Sequence, residues 1–151
     1  MTTSEEVLLL DNPIAVIDFE TTGLTVETDR VVEVAVVRRE PDGSFKKWST
    51  LINPGRNIPL KTQLIHGINN EMVAAAPQFS EIAHRLSSML SNAVVVAHNL
   101  KFDLAFLNKE YKLASIPIPQ FIGDLDTLRI SRHIFNFPKN TLTALCFRFG
   151  F

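Results

Sequence analysis

Three observations predict an α/β fold built on one mixed sheet. Runs dense in Val and Ile around residues 14–20, 30–39 and 93–97 read as strands. Segments with apolar residues at helical spacing lie between and after them. The order is three strands, then helix, strand, helix, strand, helix. It calls for an antiparallel meander on one side, parallel strands in the centre and helices packed on the faces.

The first strand starts at Ile14 and runs into a tight turn at Gly23. Arg30 to Arg39 is the second strand, Pro41-Asp-Gly-Ser44 the turn, and Phe45 to Ile52 the returning third strand. Asn53-Pro-Gly55 and Pro59 break the meander, after which Leu60–Gly67 and Asn70–Val73 read as brief helical turns. Pro77 opens a longer helix to Leu90, with Phe79, Ile82, Ala83, Leu86 and Leu90 on one face. Ala93–Ala97 is a short buried strand feeding a helix from about Asn99 to Lys112. Phe121–Leu125 is a last strand before a helix near Thr127. Thr141–Phe149 closes the inventory as a helix capped by Asn140 or Thr141 and stopped by Gly150 in a left-handed conformation.

Composition narrows the function classes. A chain of 151 residues with 46% hydrophobic side chains is long enough for one domain with a sizeable core, spanning 1–151. A formal net charge of −1, with basic residues scattered, argues against broad electrostatic binding to long nucleic acid, so any such contact is local. The lone Cys146 sits in an apolar helical pattern, which points to core packing and a reducing compartment. The start Met1-Thr-Thr-Ser-Glu-Glu lacks a signal-peptide pattern, and no segment approaches the roughly 18 apolar residues of a membrane span. A cytoplasmic protein with no membrane partner is expected.

Two acids carry the chemistry. Asp18 and Glu20 are spaced two apart on a strand, so both carboxylates face the same side. Their apolar flanks, Ile14 to Ile17 and Phe19, suggest a strand covered on both faces, where unpaired carboxylates are costly. No Lys or Arg is near in sequence, and a divalent cation, Mg²⁺ or Mn²⁺, is the natural partner for such a pair. Asp103 has Asn99, Leu100, Phe106 and Leu107 as helical neighbours and no basic one. Strand-to-helix junctions at the carboxyl ends of central strands are where α/β sheets bind ligands, so Asp18, Glu20 and Asp103 are expected to converge within reach of one ion.

The segments Ile17-Asp-Phe-Glu-Thr-Thr-Gly-Leu24 and His98-Asn-Leu-Lys-Phe-Asp103 resemble the first and second motifs of the DnaQ-like 3′→5′ exonucleases. Leu64-Ile-His-Gly-Ile68, Asp126-Thr-Leu128 and Asn140-Thr-Leu-Thr-Ala-Leu-Cys146 resemble later segments of the same family. The resemblance implies a ribonuclease-H-like sheet and a two-metal hydrolysis that releases nucleoside 5′-monophosphates from a single-stranded or frayed DNA 3′ end. It implies that Asp18 bridges two metals, Glu20 holds the metal that activates water, and Asp103 holds the other. Thr21, Thr22, Gly23 and Leu24, with His66, Asn99 and Phe102, would seat the terminal nucleotide. A DNA polymerase would be a possible partner.

The family's last motif, a histidine followed five positions later by an aspartate on a further helix, has no counterpart here. His133 reaches Pro138 and His84 reaches Met89 at that spacing. His98 reaches Asp103 because the second motif happens to fit, and Tyr111 reaches Ser115 in the variant spacing of four. The expectation is therefore a C-terminally truncated exonuclease-like domain with weakened or absent activity; full activity would mean that another residue supplies the base, with His98 the first suspect. A non-catalytic module that binds nucleic-acid ends or a polymerase is one alternative, and oligoribonuclease-like RNA trimming another. His84 and His133 read as surface residues, and Asp124 and Asp126 as a strand end and a helix cap. Phe135, Phe137, Phe147, Phe149 and Phe151 read as core for the missing helix, and Phe147, Phe149 and Phe151 as the contacts of a homodimer that would bury the uncovered patch.

Overall fold

The computed structural model of the chain describes residues 11–135 and 137–151. Its elements are β1 (Ile14–Thr21), β2 (Val31–Arg39), β3 (Phe45–Leu51), α1 (Leu60–His66), α2 (Asn70–Ala74), α3 (Phe79–Leu90), β4 (Val94–Ala97), α4 (Leu100–Ala114), β5 (Gly123–Asp126), α5 (Thr127–Ile134) and α6 (Leu142–Phe149). The strands form one sheet in the order β3-β2-β1-β4-β5. β1, β2 and β3 pair antiparallel, while β4 and β5 run parallel to β1. The meander and parallel strands expected from the sequence are both present.

Alternation builds the main core. Ala15, Ile17 and Phe19 of β1 point to the same face as Val34 and Val36 of β2, and pack with Phe79, Leu86 and Leu90 of α3 and Phe106, Leu107 and Tyr111 of α4. All five residues on the predicted apolar face of α3 are buried. Glu81 accepts a hydrogen bond from the Gln78 backbone N–H at 2.7 Å, which fixes the start of that helix. Thr141 caps α6 by accepting from Ala144 N–H, and Gly150 ends it at φ 83°, a backbone region that favours glycine.

Between Glu20 and Thr21 the β1–β2 register shifts, and β2 carries one extra residue, Val32, at that point. The shift lets Val31 and Val32 both be buried. Val31 enters the main core, and Val32 joins Ile58, Ile68 and Val73 in a second, smaller one beneath α1 and α2. Just past the end of β1, the Thr62 hydroxyl of α1 donates to the Thr22 carbonyl at 3.1 Å.

One sequence expectation needs correcting. β4 is buried along its whole length, but β1 is buried on one face only: Val16 is 46% exposed and Asp18 beyond it is exposed too. An apolar run therefore marks burial in β4 and mere alternation in β1, two arrangements that composition cannot separate. Near the other end, Phe135 stacks on Phe137 and both meet Phe149, which is itself half exposed, whereas Phe147 and Phe151 are almost wholly exposed. Cys146 is partly buried as a free thiol. Among the described residues no helix is long and apolar enough to cross a membrane.

Candidate active site

Asp18 and Glu20 stand on the open face of β1, where Asp18 lies opposite Ala35 and Glu20 opposite Glu33 of β2. Neither carboxylate has a basic partner among the ion pairs of the described residues. Asp18 keeps part of its surface in solvent, and desolvation of the rest raises its pKa above the ordinary value. Glu20 is raised as well, first by burial and then by the negative charges of Asp18 and Glu33. A cross-strand pair of acids is unfavourable unless something positive offsets it.

Asp103 reaches the same strand from α4. β4 pairs with β1 only from Ile14 to Val16, so past that point the N–H groups of β1 on the β4 side have no ladder partner. Asp103 supplies one: its Oδ1 accepts from the Phe19 backbone N–H at 3.2 Å, and the residue is only 4% exposed. Burial, then the charge of Asp18, pushes its pKa up to about 7, against the opposing pull of the Phe19 N–H. The three acids thus sit at one end of β1, where the charge of Asp18 opposes ionisation of both Glu20 and Asp103.

They do not close around a point. Among the described residues no three His, Cys, Asp or Glu side chains are placed to hold one ion, which corrects the expected convergence. The physical reason is visible in the partners: Asp103 is turned to the Phe19 N–H, while Asp18 projects from the open face of the sheet. The donor chemistry still suits a hard divalent cation, since all three are oxygen donors, all have raised pKa values and none faces a cationic side chain.

Beside Glu20 lies a cavity of about 330 Å³, lined by Phe19, Thr21, Gly23 and Leu24 of the β1 end, by Phe102 of α4, and by Lys61, Thr62, Ile65 and His66 of α1. Sequence reasoning named Thr21, Gly23, Leu24, His66 and Phe102 but missed Lys61, Thr62 and Ile65. Their signal was the four-residue helical spacing that puts Lys61 and Ile65 on one face. His66 Nδ1 accepts from the Ile68 N–H at 3.0 Å, so the proton of the neutral ring is on Nε2, which is buried without a partner. His66 lines the cavity, with this unpartnered nitrogen enclosed in the wall. A larger, more open hollow of about 640 Å³ along Asp124, Arg129 and His133 contains none of Asp18, Glu20 or Asp103.

Other named residues serve the frame. Thr22 is buried, its hydroxyl is shared between Asp29 and the Arg30 N–H, and it does not line the cavity. Asn99 is exposed at φ 75°, a left-handed position that Asn tolerates, and does not line the cavity. His98 has both ring nitrogens engaged, Nδ1 with the Thr127 hydroxyl at 3.0 Å and Nε2 donating to the Asn140 carbonyl at 2.8 Å. It is a brace between the end of β4 and the residues before α6. The Tyr111 hydroxyl donates to the Ala83 carbonyl and meets Ser87 Oγ. Asp126 caps α5 as expected, accepting from Leu128 and Arg129. His84 and His133 are exposed.

Comparison with known proteins gives consistent matches. The model of an exonuclease family, RNase_T, matches residues 15–151. The DNA polymerase III subunit epsilon of Buchnera aphidicola subsp. Schizaphis graminum is 34% identical over 147 residues, covering 90% of this chain and 62% of that protein. The 3′-5′ exonuclease DinG of Bacillus subtilis is 36% identical over 132 residues, covering 86% of this chain and 14% of its own length. Among solved structures, exonuclease X in complex with 5′-overhanging duplex DNA superposes with a TM-score of 0.68 at 28% identity, covering 91% of this chain and 73% of that one. The chain thus spans less than two thirds of the Buchnera epsilon subunit.

Proposed function

This chain belongs to the exonuclease family, and from that premise we propose that it is the nuclease domain of a 3′→5′ exonuclease acting on single-stranded or frayed DNA ends, with Mg²⁺ or Mn²⁺ held by Asp18, Glu20 and Asp103. The observation that carries the reading is the set of three carboxylates that lack a cationic partner among the described residues at one end of β1, next to a cavity with apolar walls that also holds Lys61 and His66. Cations bound there would supply an activated water and neutralise charge on the leaving oxygen of a phosphodiester. Asp18 is the acid whose charge is felt by both Glu20 and Asp103, which suits it to bridge two cations while each of the others holds one. Leu24, Ile65 and Phe102 offer a base a surface that reads no sequence. His66 Nε2–H is the group to orient the terminal nucleotide, and Lys61 places a positive charge at the same cavity. Association with a DNA polymerase follows from the likeness to epsilon subunits.

The test is release of mononucleotides from 5′-labelled single-stranded DNA and RNA of one sequence in Mn²⁺, comparing this chain with Asp18→Ala. Shortening from the 3′ end, faster on DNA and abolished in Asp18→Ala, is the expected result. Equal shortening by both proteins would sink the reading, and faster RNA cleavage would move it to RNA trimming. A second reading, a module that binds 3′ ends without cutting them, is favoured by the engagement of both His98 nitrogens and of the Tyr111 hydroxyl, and by the proton on His66 Nε2. Tight oligonucleotide binding with no product in the same assay would select it.

A further inference from the structure

We infer that Arg30 and Glu110 form a positioning pair that sets Asp103 against β1; the inference deepens the nuclease reading and rests on it for the role of Asp103. Glu110 lies seven residues after Asp103 on α4, two turns along the same face. It is 1% exposed, yet each of its oxygens is satisfied. Oε1 accepts from Arg30 Nε at 2.8 Å and from the Val31 backbone N–H at 3.2 Å, and Oε2 accepts from Arg30 Nη2 at 2.8 Å. The two parallel bonds to the guanidinium fix orientation as well as distance. α4 is thereby tied to the sheet at two points, through Asp103 to β1 and through Glu110 to the first residue of β2.

The second tie also reaches the cavity. The Arg30 N–H donates to Thr22 Oγ1, the Arg30 carbonyl accepts from Thr22 N–H, and the Thr22 carbonyl accepts from Thr62 of α1. Arg30 therefore connects the helix of Asp103, the loop carrying Gly23 and Leu24, and the helix carrying His66. An ion pair with one partner buried, as Glu110 is here, is a poor source of net stability compared with apolar packing of the same volume. Its directional bonds are suited to fixing how far α4 stands from the end of β1, a distance that apolar contacts leave loose.

Glu110→Gln tests this in the full chain, since the amide keeps the volume and the acceptor for Val31 N–H while losing the charge and the fork. Two measurements are made at a temperature well below melting. In the metal-free protein, amide exchange at Phe19 should be at least about tenfold faster relative to Val36, because loosened α4 frees the Phe19 N–H from Asp103. By calorimetry, Mn²⁺ affinity should fall roughly 10–100-fold, the usual effect of losing a group that orients a ligand. Should Glu110→Gln not fold, Arg30→Lys, which keeps the charge without the fork at a partly exposed position, is measured the same way. A folded variant with wild-type Phe19 exchange and wild-type Mn²⁺ affinity overturns the inference. Wild-type protein that takes up no Mn²⁺ overturns the nuclease reading, and the Phe19 exchange then decides the positioning claim on its own.

Discussion

Asp103 and the Phe19 backbone N–H, 84 residues apart in sequence, are joined by a hydrogen bond at the point where β4 has ceased to pair with β1. The contact explains how an acid can be buried on a helix without a cation. The backbone donor satisfies part of it, and the remaining unfavourable burial is expressed as a pKa near neutrality.

Stability should therefore depend on pH through Asp103. Its folded pKa of about 7 lies above the ordinary 3.8, so the folded state binds the proton more tightly. The stabilisation this gives is complete below about pH 4 and is lost as pH rises through about 7. Asp18 and Glu20 act in the same direction. The contribution from Asp103 is on the order of a few kcal/mol across the window. Thermal melts in a chelator at pH 5 and pH 8 should show the chain more stable at pH 5, with a much smaller difference in Asp103→Asn. A variant as pH-dependent as wild type would remove Asp103 as the cause.

His98 is expected to matter for stability and not for proton transfer. His98→Ala removes bonds to Thr127 and to the Asn140 carbonyl, which should lower stability by about 1–3 kcal/mol. Denaturant unfolding gives that figure, and cleavage rates measured on the folded fraction should keep their pH profile. Loss of cleavage in a variant of unchanged stability would restore His98 as a base.

What the sequence disclosed and what it hid divide along chain distance. β1, β2 and β4 were legible because runs rich in β-branched residues need nothing remote to be recognised, and α3 because its five apolar residues fall on one helical face. That Asp18 and Glu20 share a side follows from the strand period alone. The open face beneath Asp18 was not legible, since exposure of Val16 depends on what packs above it. Nor were the partners of Asp103, His98 and Glu110, which come from other elements 84, 29 and 80 residues away. The motif His98 to Asp103 looks like one unit in sequence, yet its two ends turn to different parts of the fold.

His66 should contribute to holding substrate rather than to the chemical step. Its Nε2–H is a buried donor without a partner, and a bound nucleotide that accepts from it would relieve that cost. His66→Ala should raise KM for a short oligonucleotide roughly three- to tenfold, the worth of one neutral hydrogen bond, with kcat little changed. Steady-state kinetics separates the two constants. A fall in kcat at constant KM would place His66 in the reaction itself.

Gly23 is expected to resist any side chain, for a reason of space. A Cβ there would stand 2.4 Å from Asp29 Oδ2, and Asp29 cannot simply swing away. Its Oδ1 accepts from the Thr22 hydroxyl at 2.9 Å and its Oδ2 from the Thr25 N–H at 3.0 Å, bonds that close the loop over the end of β1. Gly23→Ala should thus destabilise by about 1–3 kcal/mol, as overpacking does, and weaken oligonucleotide binding at the adjoining cavity. The cause is tested by adding Asp29→Ala, which removes the obstructing carboxylate and costs its own hydrogen bonds. If the clash is the cause, the double variant should be about as stable as Asp29→Ala alone, a coupling of at least roughly 1 kcal/mol in a double-mutant cycle. Additive losses from the two substitutions would show that Gly23 is needed for something other than the approach of Asp29.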